Sequence, residues 1–343
     1  MDSAQQLATL KARLDPNQIP SDVMAKLTSE LARIELLIKT SGYSLEADRL
    51  MKYFDLVVSL PWFKENQDIL DLKRAQQILD KNHFGLASVK GKILEYLSVL
   101  VLNRQKRLPA HSMSLAFVGL VGSGKTSLAY SIAESLGRPI VRIPFGGLGS
   151  AAQLRGESRI RPESEPGLII KALLKAQVKN PVILLDELDR VAEEARTDIS
   201  GVLVEILDPE QNTNFLDHYT EVAFNLSEVL FVATANNLKN VSTAVLDRLE
   251  IIEMPFYSDD QKIQIAQHFL LPEVLKQAGV ESSSLQIDPN VWLDLVRPLG
   301  FDGGIRSLKR TLEGMIRKVA RQIVEGQGGP FVINSQTLAQ YLS

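Results

Sequence analysis

Residues 119–126 read Gly119-Leu120-Val121-Gly122-Ser123-Gly124-Lys125-Thr126, the complete G-x-x-x-x-G-K-T pattern of a phosphate-binding loop. The apolar run Leu115–Val118 precedes this loop, and the segment Ser127–Ala133, which has a helical pattern, follows it. A strand, a glycine loop and a helix form the context that the motif requires. We therefore predict that the loop binds a phosphate, since its backbone N–H groups and the helix N-terminus both attract negative charge.

The same loop predicts a site for a nucleotide with a magnesium ion. Lys125 would reach the β- and γ-phosphates, and the Thr126 hydroxyl would hold Mg²⁺. The alternative is a glycine-rich turn that matches the pattern by chance. The residues that we expect to bind the nucleotide here are Gly119, Gly122, Ser123, Gly124, Lys125, Thr126 and Ser127.

Composition limits the class of protein. The chain has 343 residues, of which 45% are apolar and 23% charged, enough for two or three domains with a sizeable core. A net charge of −3 gives no general attraction to nucleic acid or to an anionic membrane. The absence of cysteine excludes disulfides and cysteine-ligated zinc, and the 4 histidines form no metal-ligand spacing. We expect a cytoplasmic protein, because we find neither a signal peptide nor an apolar run of membrane-spanning length.

Five short apolar runs alternate with amphipathic stretches from about residue 112 to residue 256. This alternation predicts an α/β fold in which a parallel sheet carries helices on both faces. The predicted strands are Leu115–Val118, Ile140–Ile143, Val182–Leu185, Val229–Ala233 and Ile251–Met254.

Helical patterns occupy both ends of the chain. We predict an N-terminal helical segment over residues 1–75, an α/β nucleotide-binding domain over 76–256, and a helical C-terminal domain over 257–343. The last domain is expected to end in a short strand and helix, or in the start of a linker. The first segment carries no catalytic constellation, so its expected role is packing or partner binding. One predicted helix begins at Pro20-Ser21-Asp22. The other predicted helices cover Leu45–Leu60, Asp71–Leu79, Val89–Leu102, Asp259–Gln277, Pro289–Arg297 and Gly304–Glu325.

A pair of acids follows the third predicted strand. Asp186 and Glu187 stand directly after Val182–Leu185, at the strand end where open α/β sheets bind ligands. Asp186 would hold Mg²⁺ through its water shell, and Glu187 would take a proton from an attacking water. Asn236, at the end of the next strand, would orient that water. The alternatives are two acids that cap a strand and an ordinary turn asparagine.

Two arginines add candidate phosphate contacts. Arg248 stands just before the fifth strand and would stabilise charge that develops on a γ-phosphate. A surface salt bridge with Asp247 or Glu250 is the alternative. Arg306 begins a predicted helix and would reach a phosphate from that side, unless it is an ordinary solvated arginine.

Several runs resemble the ATPase module of the Lon protease family, a branch of the AAA+ superfamily. The most specific run is Val-Glu-Ile-Leu-Asp-Pro-Glu-Gln-Asn at 204–212, followed by Phe-Leu-Asp-His-Tyr at 215–219. The resemblance runs from about residue 20 to the end. Further landmarks are Leu60-Pro61-Trp62, Asn82-His83-Phe84-Gly85-Leu86, Leu246-Asp247-Arg248 and Gly304-Ile305-Arg306.

The resemblance implies an AAA+ fold that binds ATP or ADP with Mg²⁺. Gly119–Thr126 and Asp186-Glu187 match the family's Walker A and Walker B motifs. Asn236 matches sensor 1, and Arg306 matches sensor 2 on a helical lid.

It also implies an assembly. Arg248 matches the arginine finger, which acts on ATP in the neighbouring subunit, so a homo-oligomeric ring is expected, hexameric as in the family. Phe84 and Gly85 lie where the family lines its adenine pocket. Protein substrates and a peptidase domain in the full-length chain are the partners that the family implies, and neither a membrane nor nucleic acid is indicated.

Two departures from the family bear on function. Its serine–lysine peptidase domain would begin just after Ser343, and its large N-terminal substrate-binding domain is not found, so we expect a fragment or a truncated homologue without a peptidase site. The family's pore loop reads Arg-Thr-Tyr-Ile-Gly, whereas residues 159–163 here read Arg-Ile-Arg-Pro-Glu. Arg161 replaces the aromatic residue that grips a translocating polypeptide, and Pro162 replaces the next apolar residue.

Two functions therefore stay open. The first, which we favour, is an ATPase that drives unfolding and translocation of a substrate toward a peptidase domain. The second is an ATP-dependent, ring-forming switch or scaffold with little or no threading, which the pore loop favours. A small-molecule kinase fits less well, because the paired acids, the two arginines and the lid are typical of hydrolysis.

Overall fold

A five-stranded parallel sheet forms the centre of the computed structural model, which describes residues 3–41, 44–106, 114–161, 163–297 and 305–342. Its strands lie side by side in the order Ile140–Pro144, Val182–Asp186, Leu230–Ala235, Ser114–Val118 and Leu249–Glu253, and all five predicted strands form. The α/β class is confirmed. The strands in chain order are β1 Ser114–Val118, β2 Ile140–Pro144, β3 Val182–Asp186, β4 Phe215–Leu216, β5 Ala223–Phe224, β6 Leu230–Ala235 and β7 Leu249–Glu253, where β4 and β5 make a separate antiparallel pair.

The sheet is buried on both faces because its strands are apolar at successive positions. In β3, Val182 and Leu184 pack into one apolar cluster, while Ile183 and Leu185 pack into the other. This alternation follows from the two-residue period of a strand. Since β1, β3 and β6 are parallel neighbours, their carboxyl ends meet at one edge of the sheet.

The N-terminal region is helical, as predicted. Side chains cap two of its helices: Ser44 accepts the N–H of Ala47 at 3.2 Å, and Asp71 accepts the N–H of Lys73 at 2.9 Å. The apolar cluster on one face of the sheet continues without a break into the first three of these helices, whereas the last two pack into the cluster on the other face. They are α1 Ser3–Ala12, α2 Ser21–Ser41, α3 Leu45–Val58, α4 Leu72–Asn82 and α5 Ala87–Gln105.

Helices also connect the strands of the sheet. The first of them, α6, begins inside the phosphate loop at Lys125 and ends at Gly137, which adopts the left-handed conformation with φ +68°. The set is α6 Lys125–Leu136, α7 Ala152–Arg155, α8 Leu168–Ala176, α9 Arg196–Leu207 and α10 Thr243–Leu246.

The C-terminal region has its own apolar cluster. Its first helix begins with a capping box between Ser258 and Gln261 and continues through a π-helical turn, Ala266–Leu270, into the next. A short parallel pair joins β8 Leu285–Ile287 to β9 Phe331–Ile333, and β8 was not predicted from the sequence. The helices are α11 Asp259–Ile265, α12 Leu271–Ala278, α13 Val291–Val296, α14 Arg306–Val324 and α15 Leu338–Tyr341.

Some predicted positions fall outside the described residues, among them Gly304 at the expected start of α14, Pro162 in the loop after Arg161, and Ser343. Within the described residues, no helix is both long enough and apolar enough to cross a bilayer.

Candidate nucleotide-binding site

The phosphate loop joins β1 to α6 and depends on glycine at specific positions. Gly122 and Gly124 adopt φ values of +80° and +94°, a region that side chains with a Cβ rarely enter. A Cβ at Gly122 would lie 2.9 Å from the backbone nitrogen of Arg306. The sequence therefore allows the loop to pass directly under the start of α14.

Lys125 points back into the loop. Its Nζ donates to the carbonyl oxygens of Gly119 and Leu120 at 2.6 and 2.9 Å, and to Oδ1 of Asn236 at 3.1 Å. Burial lowers the pKa of Lys125, and the carboxylates of Asp189, Asp186 and Glu187 act against that shift. The ammonium is thus a buried charge, held by neutral oxygens at the mouth of the loop.

The acid pair lies at the end of β3, as the sequence predicted for a strand-end site. Asp186 Oδ1 accepts a hydrogen bond from the Thr234 hydroxyl and lies 3.4 Å from Thr126 Oγ1. Its other oxygen, Oδ2, accepts from Nε of Arg142 at 2.6 Å. Both oxygens of this buried carboxylate therefore accept hydrogen bonds.

Glu187 adopts a left-handed backbone conformation, with φ 60° and ψ 52°. Such a conformation is uncommon for a residue other than glycine and is often found at functional sites. Its N–H donates to Thr234 Oγ1 at 2.9 Å, and its carboxylate lies beside the backbone of Gly146. The Thr234 hydroxyl thus bonds both the side chain of Asp186 and the backbone of Glu187.

Asn236 is positioned by a second acid. Its N–H donates to Asp189 Oδ1 at 3.0 Å, and Asn237 Nδ2 lies 3.4 Å from Asp189 Oδ2. Asp189 is buried and follows Glu187 by two residues. This contact ties the end of β6 to the turn after β3, so the side chain of Asn236 is held beside Lys125.

The C-terminal region is joined to the phosphate loop by two hydrogen bonds. The N–H of Ile305 donates to the carbonyl of Gly122 at 3.1 Å, and the Tyr257 hydroxyl donates to the carbonyl of Ser123 at 3.1 Å. The resulting cleft has a volume of about 610 Å³. It is lined by Val121, Gly122, Gly124, Lys125, Thr126, Ser127, Tyr130, Arg142, Asp186, Glu187, Thr234, Ala235, Asn236, Ile305, Arg306 and Lys309.

Phe84 and Gly85 do not line this cleft. Phe84 packs against the C-terminal apolar cluster, and Gly85, with φ +63°, lies near the side chain of Gln261 on α11. Next to them, His83 Nε2 lies 2.9 Å from Ser131 Oγ on α6, and burial together with the charge of Lys90 lowers the pKa of His83 to about 4. Phe84 and Gly85 therefore lie at the junction of the sheet domain with α11.

Arg248 also lies away from the cleft. Its Nε and Nη2 donate to Asp208 Oδ2 at 3.0 and 2.7 Å, and Nη1 donates to the carbonyl of Ala244 at 2.8 Å. The hydrogen bonds from Arg248 to Asp208 lower the pKa of this carboxyl group, which stands within the run at 204–212. The ion pair is thus made with Asp208, not with the sequence neighbours Asp247 or Glu250.

The donor set fits a magnesium ion. Thr126 supplies a hydroxyl oxygen and Asp186 a carboxylate oxygen, the hard ligands that Mg²⁺ prefers when it is held by one or two protein groups together with phosphates. Among the described residues, no group of three or more histidine, cysteine or acidic side chains could hold a metal by itself.

Sequence reasoning missed three polar residues that hold the site together, Arg142, Asp189 and Thr234, and it also missed the cleft residues Val121, Tyr130, Ala235, Ile305 and Lys309. Arg142 and Thr234 left a signal, because each places a polar side chain inside an otherwise apolar strand. Asp189 left none beyond its place in an acidic turn.

Comparison with known proteins decides the family. Residues 115–256 match the family described as ATPase family associated with various cellular activities, and residues 276–331 match the Lon protease AAA+ ATPase lid domain. A Lon protease of Halothermothrix orenii is 42% identical over 324 residues, which is 94% of this chain and 40% of that protein. The chain belongs to the Lon family. It corresponds to the AAA+ module of that family, with its lid.

Other Lon proteins agree over the same extent. The Lon protease of Lawsonia intracellularis is 40% identical over 100% of this chain and 40% of its own length, and Lon protease 1 of Bacillus subtilis is 40% identical over 98% of this chain and 43% of its own. The chain thus spans about two fifths of the length of these relatives. The AAA family assignment indicates a nucleotide-binding protein of the ATPase class.

Proposed function

We propose that this Lon-family module binds ATP and hydrolyses it in the cleft between the sheet and α14. One observation carries the proposal: Lys125, Thr126, Asp186, Glu187 and Asn236 come from three neighbouring parallel strands and meet at one edge. Ligands of open α/β sheets bind at this edge.

Each residue then has a specific task. Lys125 exchanges its carbonyl partners for the β- and γ-phosphates, and Glu187 takes the proton of the attacking water. Asn236, fixed through Asp189, orients that water. Mg²⁺, when held by Thr126 and Asp186, neutralises charge on the phosphates. Arg306 contributes its charge from the first turn of α14, on the opposite side of the cleft.

Arg248 acts on the ATP of a neighbouring subunit in this proposal. Two features support the role: the side chain does not line the cleft of its own chain, and Asp208 with Ala244 holds it at a fixed place. A finger that works in trans requires a ring of head-to-tail contacts, for which we propose a hexamer.

We further propose the three predicted regions, 1–75, 76–256 and 257–343, as units of this module, with Phe84 and Gly85 at the adenine end of the nucleotide. The separate apolar cluster of the C-terminal region supports the third unit, and the contact of Phe84 with that cluster supports its place beside the nucleotide. An adenine ring beside Phe84 would lie between the sheet domain and the lid, so the lid position would respond to the nucleotide.

Replacing Lys125 with alanine is expected to weaken ATP binding by about 10- to 100-fold, the scale of about 1.5–3 kcal/mol for hydrogen bonds to a charged group. The change removes the charge on the phosphates and leaves Asn236 Oδ1 without its donor. Calorimetric titration with ATP measures the effect, and Lys81→Ala, which removes an exposed lysine of α4, is the matched control. Parent-like affinity in Lys125→Ala would contradict the proposed site.

What the ATP cycle drives depends on the loop at 159–163. Its base is anchored, because the Arg159 guanidinium lies 3.7 Å above the Tyr53 ring and pairs with Glu221 at 2.9 Å. Beyond the anchor, Ile160 is 92% exposed and Arg161 is exposed by 75% of its side chain. We favour translocation of a polypeptide toward a peptidase, and the charged loop specifically favours the second candidate, a ring-forming switch.

Restoring the family residues should separate these two functions. Arg161→Tyr with Pro162→Ile, in a chain joined to an active Lon peptidase domain, is expected to degrade an unfolded protein several times faster than the parent loop, since an aromatic ring packs against any sequence. The ATP affinity should stay unchanged, because the described residues of the loop, 159–161 and 163, do not line the cleft. Equal degradation rates would mean that Ile160 and Arg161 already grip, and that the switch function is wrong.

A further inference from the structure

Arg142 is a charged side chain of the cleft that the proposed chemistry does not use. It stands in the middle of β2, between the buried residues Val141 and Ile143, and its side chain is 50% exposed at the mouth of the cleft. Its Nε donates to Asp186 Oδ2 at 2.6 Å. In the described residues, no carboxylate other than that of Asp186 lies within 4.0 Å of its guanidinium.

Asp186 needs a cation. The residue is only 4% exposed, and a buried carboxylate without a partner is strongly unfavourable. Lys125, the other cation nearby, is bonded to carbonyl oxygens and to Asn236 instead. Among the described residues, Arg142 is therefore the cation that forms an ion pair with this carboxylate.

The same carboxylate is the one that faces Thr126. Its Oδ1 lies 3.4 Å from Thr126 Oγ1, while its Oδ2 is held by Arg142. A divalent cation at Thr126 and a guanidinium on Oδ2 would be two positive charges on one buried carboxylate. The two cations would repel each other, and burial would increase this repulsion.

We propose that Arg142 is a positioning residue that competes with Mg²⁺ for Asp186. In the nucleotide-free state the guanidinium neutralises the carboxylate and keeps it ordered. When the magnesium nucleotide binds, Arg142 releases Oδ2, so the strength of this ion pair sets the Mg²⁺ concentration at which the cleft is loaded. This inference rests on the proposed function, because it requires that the cleft bind a magnesium nucleotide.

The competition has a thermodynamic signature. Without Mg²⁺, Arg142 shields the phosphates from Asp186, so its removal should weaken binding of the bare nucleotide. With Mg²⁺, its removal frees Asp186, so less of the ion should be needed. The two effects have opposite signs, whereas a direct bond from Arg142 to a phosphate would strengthen binding under both conditions.

The experiment measures ADP affinity by calorimetry at a series of free Mg²⁺ concentrations and in excess EDTA, so that no hydrolysis is required. In Arg142→Gln we expect the ratio of the two limiting dissociation constants, EDTA over saturating Mg²⁺, to rise roughly five- to tenfold, a moderate coupling between two ligands. The Mg²⁺ midpoint should fall. Arg142→Lys should lie between the parent and Arg142→Gln, since it keeps the charge but loses the planar donor.

Two controls make the outcome decisive. Arg33→Gln removes an exposed arginine that also pairs with one carboxylate, Glu46, outside the cleft, and it should behave as the parent. In an Asp186→Asn chain, Arg142→Gln should leave the Mg²⁺ dependence unchanged, because the shared ligand is gone. A parent-like ratio in Arg142→Gln, or equal weakening with and without Mg²⁺, would overturn the inference. A parent chain that binds no ADP at all would instead contradict the proposed function.

Discussion

Glu187→Gln should slow ATP hydrolysis by roughly 10²–10⁴-fold, the usual effect of losing a general base, and leave nucleotide binding nearly intact. The amide keeps the shape of the side chain but cannot accept the proton of the attacking water. The backbone bond from Glu187 to Thr234 does not involve the side chain, so the turn after β3 should keep its conformation. Steady-state phosphate release, measured beside ATP titrations, separates the two effects.

The control for this variant is Glu194→Gln. Glu194 is exposed, lies seven residues after Glu187 and does not line the cleft. The Glu194→Gln substitution therefore removes the same charge without changing the cleft. Hydrolysis at the parent rate in Glu187→Gln would show that another group takes the proton. A parent chain that binds ATP without hydrolysing it would favour the switch function.

Arg248→Ala should bind nucleotide normally and lose hydrolysis by about 10³-fold or more, the range for an arginine finger. Because the finger is proposed to act in trans, mixing Arg248→Ala with Glu187→Gln should restore activity. In a random mixed ring, roughly a quarter of the interfaces combine an intact Glu187 with an intact Arg248 from the neighbour. Activity of the mixture, measured after subunit exchange, checks the arrangement.

Two further variants test what the arginine contributes. Arg248→Lys keeps a charge for Asp208 but cannot reproduce the two bonds to its oxygen, so it should recover little activity. Arg321→Ala removes an exposed arginine of α14 and should have no effect. A mixture as inactive as each variant alone, in rings shown to exchange subunits, would rule out the trans role.

The strands were predictable because each contains a run of mostly apolar residues, and this property is local. The phosphate loop was predictable because glycines at φ +80° and +94° are required wherever the motif occurs. The predictions of the fold class and of the family are confirmed. The roles of Glu187, Asn236, Arg248 and Arg306, and the domain boundaries, stay predictions.

The remaining contacts depend on which strands become neighbours. The bond from Arg142 to Asp186 joins β2 to β3, and Thr234 reaches both acids only because β6 lies beside β3. No local sequence pattern indicates the order of the strands in the sheet. Strand β8 and its pairing with β9 were missed for a related reason: β8 has only three residues, too few for a periodic pattern, and its partner lies far away in the chain.

The continuous apolar core beneath the sheet has a consequence for how the molecule comes apart. Because α2 and α3 share that core with β2 and β3, the N-terminal helices and this face of the sheet should open together, as one cooperative unit. The C-terminal cluster is separate and can lose protection against amide exchange by itself. The lid can therefore open without global unfolding, and its opening would break the hydrogen bond from Ile305 to the phosphate loop at Gly122.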